Sequence, residues 1–131
     1  MKYFFILSFT LIFSCNLINN DEINEIDSDE LTEFLQINDA ILLDVRRADE
    51  YINGYIENSI NIDYISYEFV TNTERLDKNK PIILYCRSGR RSYLSAIKLS
   101  ENGFKEIYNL EGGIISWIEI GNSVVFTDSI N

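Results

Sequence analysis

The sequence predicts a single α/β domain built on a mostly parallel central sheet. Short apolar runs, suited to strands buried on both faces, alternate with segments of helical periodicity. The clearest run, Ile82-Ile83-Leu84-Tyr85, opens after Pro81 and passes directly into a helical pattern. At 131 residues, 46% of them hydrophobic, the chain is long enough for one packed core and too short for two.

Residues 1–14 stand apart from that domain. Lys2 is a minimal positive n-region, and residues 3–13 are apolar except for Ser8 and Thr10. The run is shorter than the ~20 helical residues that span a bilayer. It ends in Ser14-Cys15, which resembles the bacterial lipoprotein signal, in which cleavage precedes a cysteine that then receives lipid. That resemblance implies a signal peptide over 1–14, lipidation at Cys15, export, and attachment at the periplasmic or cell-surface side of a membrane. The alternatives are an ordinary signal peptide, or a buried strand carrying an incidental cysteine. Residues 15–25 are polar and acidic and read as a tether, residues 26–125 as the domain, and residues 126–131 as a tail.

Within the domain, Asp27 or Ser28 can cap a first helix whose apolar face carries Leu31, Phe34 and Leu35. Residues 40–45 form a buried strand, and a short helix over 48–53 ends at Gly54. Residues 59–62 suit another short strand, and Ile65 with Phe69 gives a weak helical signal after it. The strand at 82–85 is followed by Cys86-Arg87-Ser88-Gly89 and a helix over 90–102, with Leu94 and Ile97 on its expected buried face and Gly103 beyond its end. A further strand covers 105–110, and Gly112-Gly113 opens a last helix carrying Ile114, Ile115, Trp117 and Ile118.

The chemistry concentrates at Cys86. It stands at the carboxyl end of the best strand and the start of the best helix, where open α/β sheets place their ligands. With Cys15 lipidated, Cys86 has no disulfide partner, and a lone thiol in an exported chain is a candidate reactive group. The chain has no histidine, which excludes Ser-His-Asp and Cys-His catalysis and histidine-containing metal sites; no metal and no cofactor is expected. The helix N-terminus, converging N–H groups permitted by Gly89, and Arg87, Arg90 and Arg91 all favour thiolate over thiol. Such surroundings can bring a cysteine from about 8.5 to ~6.5 or lower. Two charge-assisted hydrogen bonds can supply the ~2.7 kcal/mol this requires. Elsewhere the protein is acidic, with a net charge of −10, which argues against nucleic acid as a partner.

Cys86-Arg87-Ser88-Gly89-Arg90-Arg91-Ser92 resembles the active-site loop of the rhodanese-like sulfurtransferases. Leu43-Asp44-Val45-Arg46 upstream, Glu50-Tyr51, Gly54, Ile56, Asn61 and Ile62 after it, and Ala96, Leu99, Gly103-Phe104, Leu110, Gly112-Gly113 and Trp117 downstream match the same family's spacings. Tyr55 stands where the family usually has histidine. The resemblance implies a five-stranded parallel sheet flanked by helices on both faces, and transfer of a sulfane sulfur through a Cys86 persulfide. Its donor would be a small anion such as thiosulfate, and its acceptor a thiol or a partner protein. The loop residues Arg87, Ser88, Gly89, Arg90 and Arg91 would hold the donor. Asp44 and Arg46 would support the site, either as a structural ion pair or closer to the chemistry. Nothing demands an oligomer, and a monomer is expected. The competing readings are a slow or non-catalytic sulfur carrier of the same fold, and a phosphatase. The six-residue span from Cys86 to Arg91 disfavours the phosphatase, because the related phosphatases have a loop one residue longer.

Overall fold

The computed structural model describes residues 22–127. Lys2, the apolar run at 3–13 and Cys15 lie outside the described residues. Five parallel strands form one sheet: β1 (Ile23–Ile26), β2 (Ile41–Asp44), β3 (Ile60–Asn61), β4 (Ile82–Tyr85) and β5 (Ile107–Leu110), in the order β1-β5-β4-β2-β3. The predicted α/β class and parallel sheet are therefore observed. The helices are α1 (Ser28–Ile37), α2 (Ala48–Ile52), α3 (Phe69–Thr73), α4 (Arg90–Glu101) and α5 (Gly113–Glu119).

Strand periodicity divides the core into two layers. On β4, Ile82 and Leu84 face one layer together with Cys86, while Ile83 and Tyr85 face the other. The first layer is closed by Phe69 of α3 and by Ala96 and Leu99 of α4. The second is closed by Leu31 of α1 and by Ile114 and Trp117 of α5. Helices thus cover both faces, which parallel strands require because neither face can meet water. The alternation also decides that the Cys86 side chain turns toward α4.

Local signals explain most boundaries. Asp27 is the cap of α1: its carboxylate accepts the Glu30 N–H at 2.8 Å, and Glu30 in return accepts the Asp27 N–H at 3.0 Å. Gly54, with φ of 124°, follows the end of α2, and Gly103, with φ of 90°, follows α4. Trp117 is a core residue, its indole N–H donating to the Ser123 carbonyl at 2.9 Å.

Two expectations are corrected. Residues 23–25, read as tether, are strand: β1 pairs with β5 from Ile23↔Ile107 to Ile26↔Leu110. This strand has only Ile23 and Ile26 as apolar residues, one of them half-buried, because it lies at the sheet edge. On α4, Leu94 and Ile97 face outward, 40% and 37% exposed, and the buried side carries Ser92, Ser95, Ala96 and Leu99. Small residues let the helix lie close to the sheet. Ser95 satisfies its own hydroxyl by donating to the Arg91 carbonyl at 2.7 Å.

Candidate active site

Cys86 sits one residue beyond β4, at the floor of a turn that leads into α4. Gly89 adopts φ of 105°, a conformation that a side chain would disfavour, and so reverses the backbone onto the sulfur. The Gly89 N–H donates to Cys86 Sγ at 3.1 Å, and the Ser92 hydroxyl, one turn into α4, donates to it at 3.4 Å. Burial by itself would push the Cys86 thiol up. Hydrogen bonds from the Ser92 hydroxyl and from the N–H groups of Ser92, Gly89 and Ser88 outweigh that penalty and hold the thiol below its ordinary value. The residue is only 1% exposed, so the sulfur lies at the base of the turn, below Arg87 and Ser88, which are exposed.

A second helix fixes the turn from behind. The α5 N–H groups of Ile114 and Ile115 donate to the carbonyls of Cys86 and Arg87, at 2.9 and 3.2 Å. Gly113, with φ of 60°, makes this possible: a Cβ there would stand 2.5 Å from both carbonyl oxygens. Gly113 therefore serves close backbone approach to the Cys86 turn.

The arginines divide into two kinds. Arg87 and Arg90 are exposed and form no ion pair among the described residues. Arg91 is committed: its two terminal nitrogens each donate to a Glu50 carboxylate oxygen at 2.8 Å. The Arg91 guanidinium is raised first by this Glu50 carboxylate and further by the adjacent Cys86 sulfur. Glu50 is lowered to about 2, first by the Arg91 hydrogen bonds. Glu50 also caps α2 by accepting the Arg47 N–H at 3.1 Å, so the start of α2 aims its carboxylate at the loop. Arg91 is thus paired with Glu50 while it lies beside the Cys86 sulfur.

Glu50 and Ser92 are the site residues that sequence reasoning left unassigned. Glu50 lies 41 positions from Arg91, and the only signal for it is its place in the Glu50-Tyr51 motif. Ser92 is a residue type with many local uses, and its position one turn after Gly89 is the sole hint.

Asp44 and Arg46 form a buried ion pair. Arg46 Nε donates to both Asp44 oxygens at 3.0 Å, its Nη2 donates to Asp44 Oδ2 at 2.6 Å and to the Gly54 carbonyl at 2.8 Å, and its guanidinium lies 5.7 Å from the Tyr85 ring centre. Tyr85 accepts the Ile56 N–H at 3.1 Å and shares a hydrogen bond with Ser59 at 3.0 Å. These contacts tie the 46–56 segment to β2 and β4. Tyr55, at the family's histidine position, stacks on Tyr51 with ring centres 4.1 Å apart. No cluster of His, Cys, Asp or Glu that could hold a metal ion occurs among the described residues.

The rhodanese-like domain model matches residues 27–120, from the cap of α1 through the end of α5. The chain belongs to the rhodanese-like domain family. A sulfurtransferase of Allochromatium vinosum is 33% identical over 104 residues, spanning 79% of this chain and 95% of that protein. A tRNA uridine(34) hydroxylase of Pelagibacter ubique is 33% identical over 76% of this chain, but the match covers 34% of its own length. The crystal structure of a rhodanese-related protein from Thermoplasma volcanium superposes with a TM-score of 0.70 at 36% identity, over 79% of this chain and 99% of that one. The rhodanese-like domain seen here is thus nearly the whole of two relatives and about a third of the hydroxylase. The family and the sulfurtransferase relative support an enzyme of sulfurtransferase type.

Proposed function

We propose that this rhodanese-like protein transfers sulfane sulfur through a persulfide on Cys86, with thiosulfate or another persulfide as donor. The observation that carries the reading is the Cys86 sulfur, ionised more readily than an ordinary thiol because Gly89, Ser88 and Ser92 donate to it. The thiolate attacks the outer sulfur of thiosulfate. A Cys86 S–S bond forms, the donor S–S bond breaks, and sulfite leaves with the bonding electron pair. The persulfide anion then gives its outer sulfur to a nucleophile, cyanide in an assay or an acceptor thiol, and the Cys86 thiolate is restored. The same N–H groups that face Sγ supply the positive potential that such an anion needs. Arg87 and Arg90, exposed and unpaired among the described residues, attract the anionic donor, while Arg91 keeps the loop in shape.

A slow carrier is the second reading, favoured by the 1% exposure of Cys86. The two differ in turnover. The enzyme forms thiocyanate from thiosulfate and cyanide with ping-pong kinetics, and Cys86→Ala forms none. Unchanged turnover in Cys86→Ala removes the cysteine from the mechanism. Stoichiometric gain of one sulfur on the Cys86 peptide without turnover selects the carrier.

The same proposal includes a lipid anchor at Cys15, export, and a domain tethered to the outer side of a membrane. It rests on Lys2, the apolar run and Ser14-Cys15. No helix among the described residues is long and apolar enough to cross a membrane. Mass analysis of the N-terminal peptide from membrane-extracted protein tests the anchor, since an unmodified peptide that retains residues 1–14 excludes it.

A further inference from the structure

We propose that Asn109, held by Glu25 of the edge strand, is a positioning residue for the catalytic loop: it fixes the Gly89 carbonyl and thereby aims the Gly89 N–H at the Cys86 sulfur. Asn109 is buried, 4% exposed, near the carboxyl end of β5, and its register partner on β1 is Glu25. One amide hydrogen is directed at Glu25, with Nδ2 3.1 Å from both carboxylate oxygens. The other serves the Gly89 carbonyl at 3.3 Å. The amide oxygen, also buried, finds no hydrogen-bond partner among the described residues. Turning the amide over would set that oxygen against a carboxylate and a carbonyl, so the surrounding acceptors dictate one orientation even though an acceptor goes unused.

Gly89 is the residue on which this matters. Within the Cys86–Arg91 loop it alone has positive φ, and without a side chain it has no anchor of its own. Its carbonyl is held by the Asn109 amide and by the Tyr93 N–H at 3.2 Å, and its own N–H donates to Cys86 Sγ at 3.1 Å. Releasing the carbonyl on the β5 side lets the residue rotate, and the N–H leaves the sulfur. A contact 23 positions away in sequence therefore bears on the ionisation of the thiol, through one carbonyl.

The inference rests on Cys86 being the reacting thiolate, but its test reads ionisation and not sulfur transfer, so each can fail alone. The rate of alkylation by iodoacetamide is measured against pH in the full chain, with circular dichroism as the check of folding. The charged groups around the loop are Arg91 and Arg90 of α4, Arg87, Glu50 of α2 and Glu25 of β1. Asn109→Leu changes none of these charges. It slows alkylation at pH 6 by about threefold and moves the profile to higher pH, because a thiolate hydrogen bond is lost. Glu25→Ala separates positioning from charge. Removing a nearby carboxylate by simple Coulomb action favours the thiolate and moves the profile to lower pH, whereas loss of the Asn109 anchor moves it higher. Glu25→Gln, which keeps an acceptor for the amide, shows only the charge effect. A folded Asn109→Leu whose profile overlays the parent overturns the proposal. If that variant does not fold, a Glu25→Ala profile that coincides with Glu25→Gln overturns it.

Discussion

Replacing Glu50 with glutamine removes one charge from the doubly hydrogen-bonded ion pair that ties the Cys86 loop to α2. In the folded protein Glu50 lies at about 2 against an ordinary 4.5. If fully expressed, that difference corresponds to roughly 3.4 kcal/mol of stabilisation by linkage. The Arg91 and Glu50 side chains are 28% and 21% exposed, so solvent screens the pair and about 2 kcal/mol is the reasonable expectation. Because the folded value is depressed, this stabilisation is complete above the unfolded value of 4.5 and is lost as the pH falls through about 2. The assay is thermal unfolding of parent and Glu50→Gln at several pH values. At pH 7 the variant melts about 8–15 °C lower, as expected for ~2 kcal/mol in a domain of this size. The gap narrows below pH 4 and has largely closed by pH 2, where the parent carboxylate is about half protonated. A gap that stays constant from pH 7 to pH 2 refutes the assignment of the stabilisation to the ionised pair. No gap at any pH refutes the coupling itself.

Two other substitutions probe the loop. Ser92→Ala removes the hydroxyl 3.4 Å from Cys86 Sγ without changing charge; alkylation at pH 6 slows about threefold, and a rate equal to the parent's excludes the hydroxyl as a thiolate donor. Gly113→Ala places a Cβ 2.5 Å from the Cys86 and Arg87 carbonyl oxygens at φ of 60°; it destabilises the fold by about 3 kcal/mol or more, read by urea denaturation, and a loss under ~1 kcal/mol argues that the helix α5 contact is looser than described.

How much was legible in the sequence depends on whether the signal was local. The strand at Ile82–Tyr85 and the helix beginning at Arg90 fall where their apolar run and loop composition place them. The edge strand β1 did not announce itself, because a strand with one face in water and a single deeply buried residue reads like an acidic linker. The outward turn of Leu94 and Ile97 was hidden for another reason. Their spacing fits a helical face equally well inside or outside, and a side of small residues was free to be chosen by close packing on the sheet.

By itself the sequence determined the parallel α/β architecture and the place of the Cys86 turn, since strand, cysteine, glycine and helix start are contiguous along the chain. Only the tertiary structure decided which groups hold that turn in place: Glu50 on Arg91, the N–H groups of α5 on the Cys86 and Arg87 carbonyls, and Asn109 on Gly89. Such contacts join residues 20 to 41 positions apart, or helices whose ends meet only after the sheet has formed. Hydrogen bonds act over about 3 Å, so no pattern along the chain records them until folding brings the partners together.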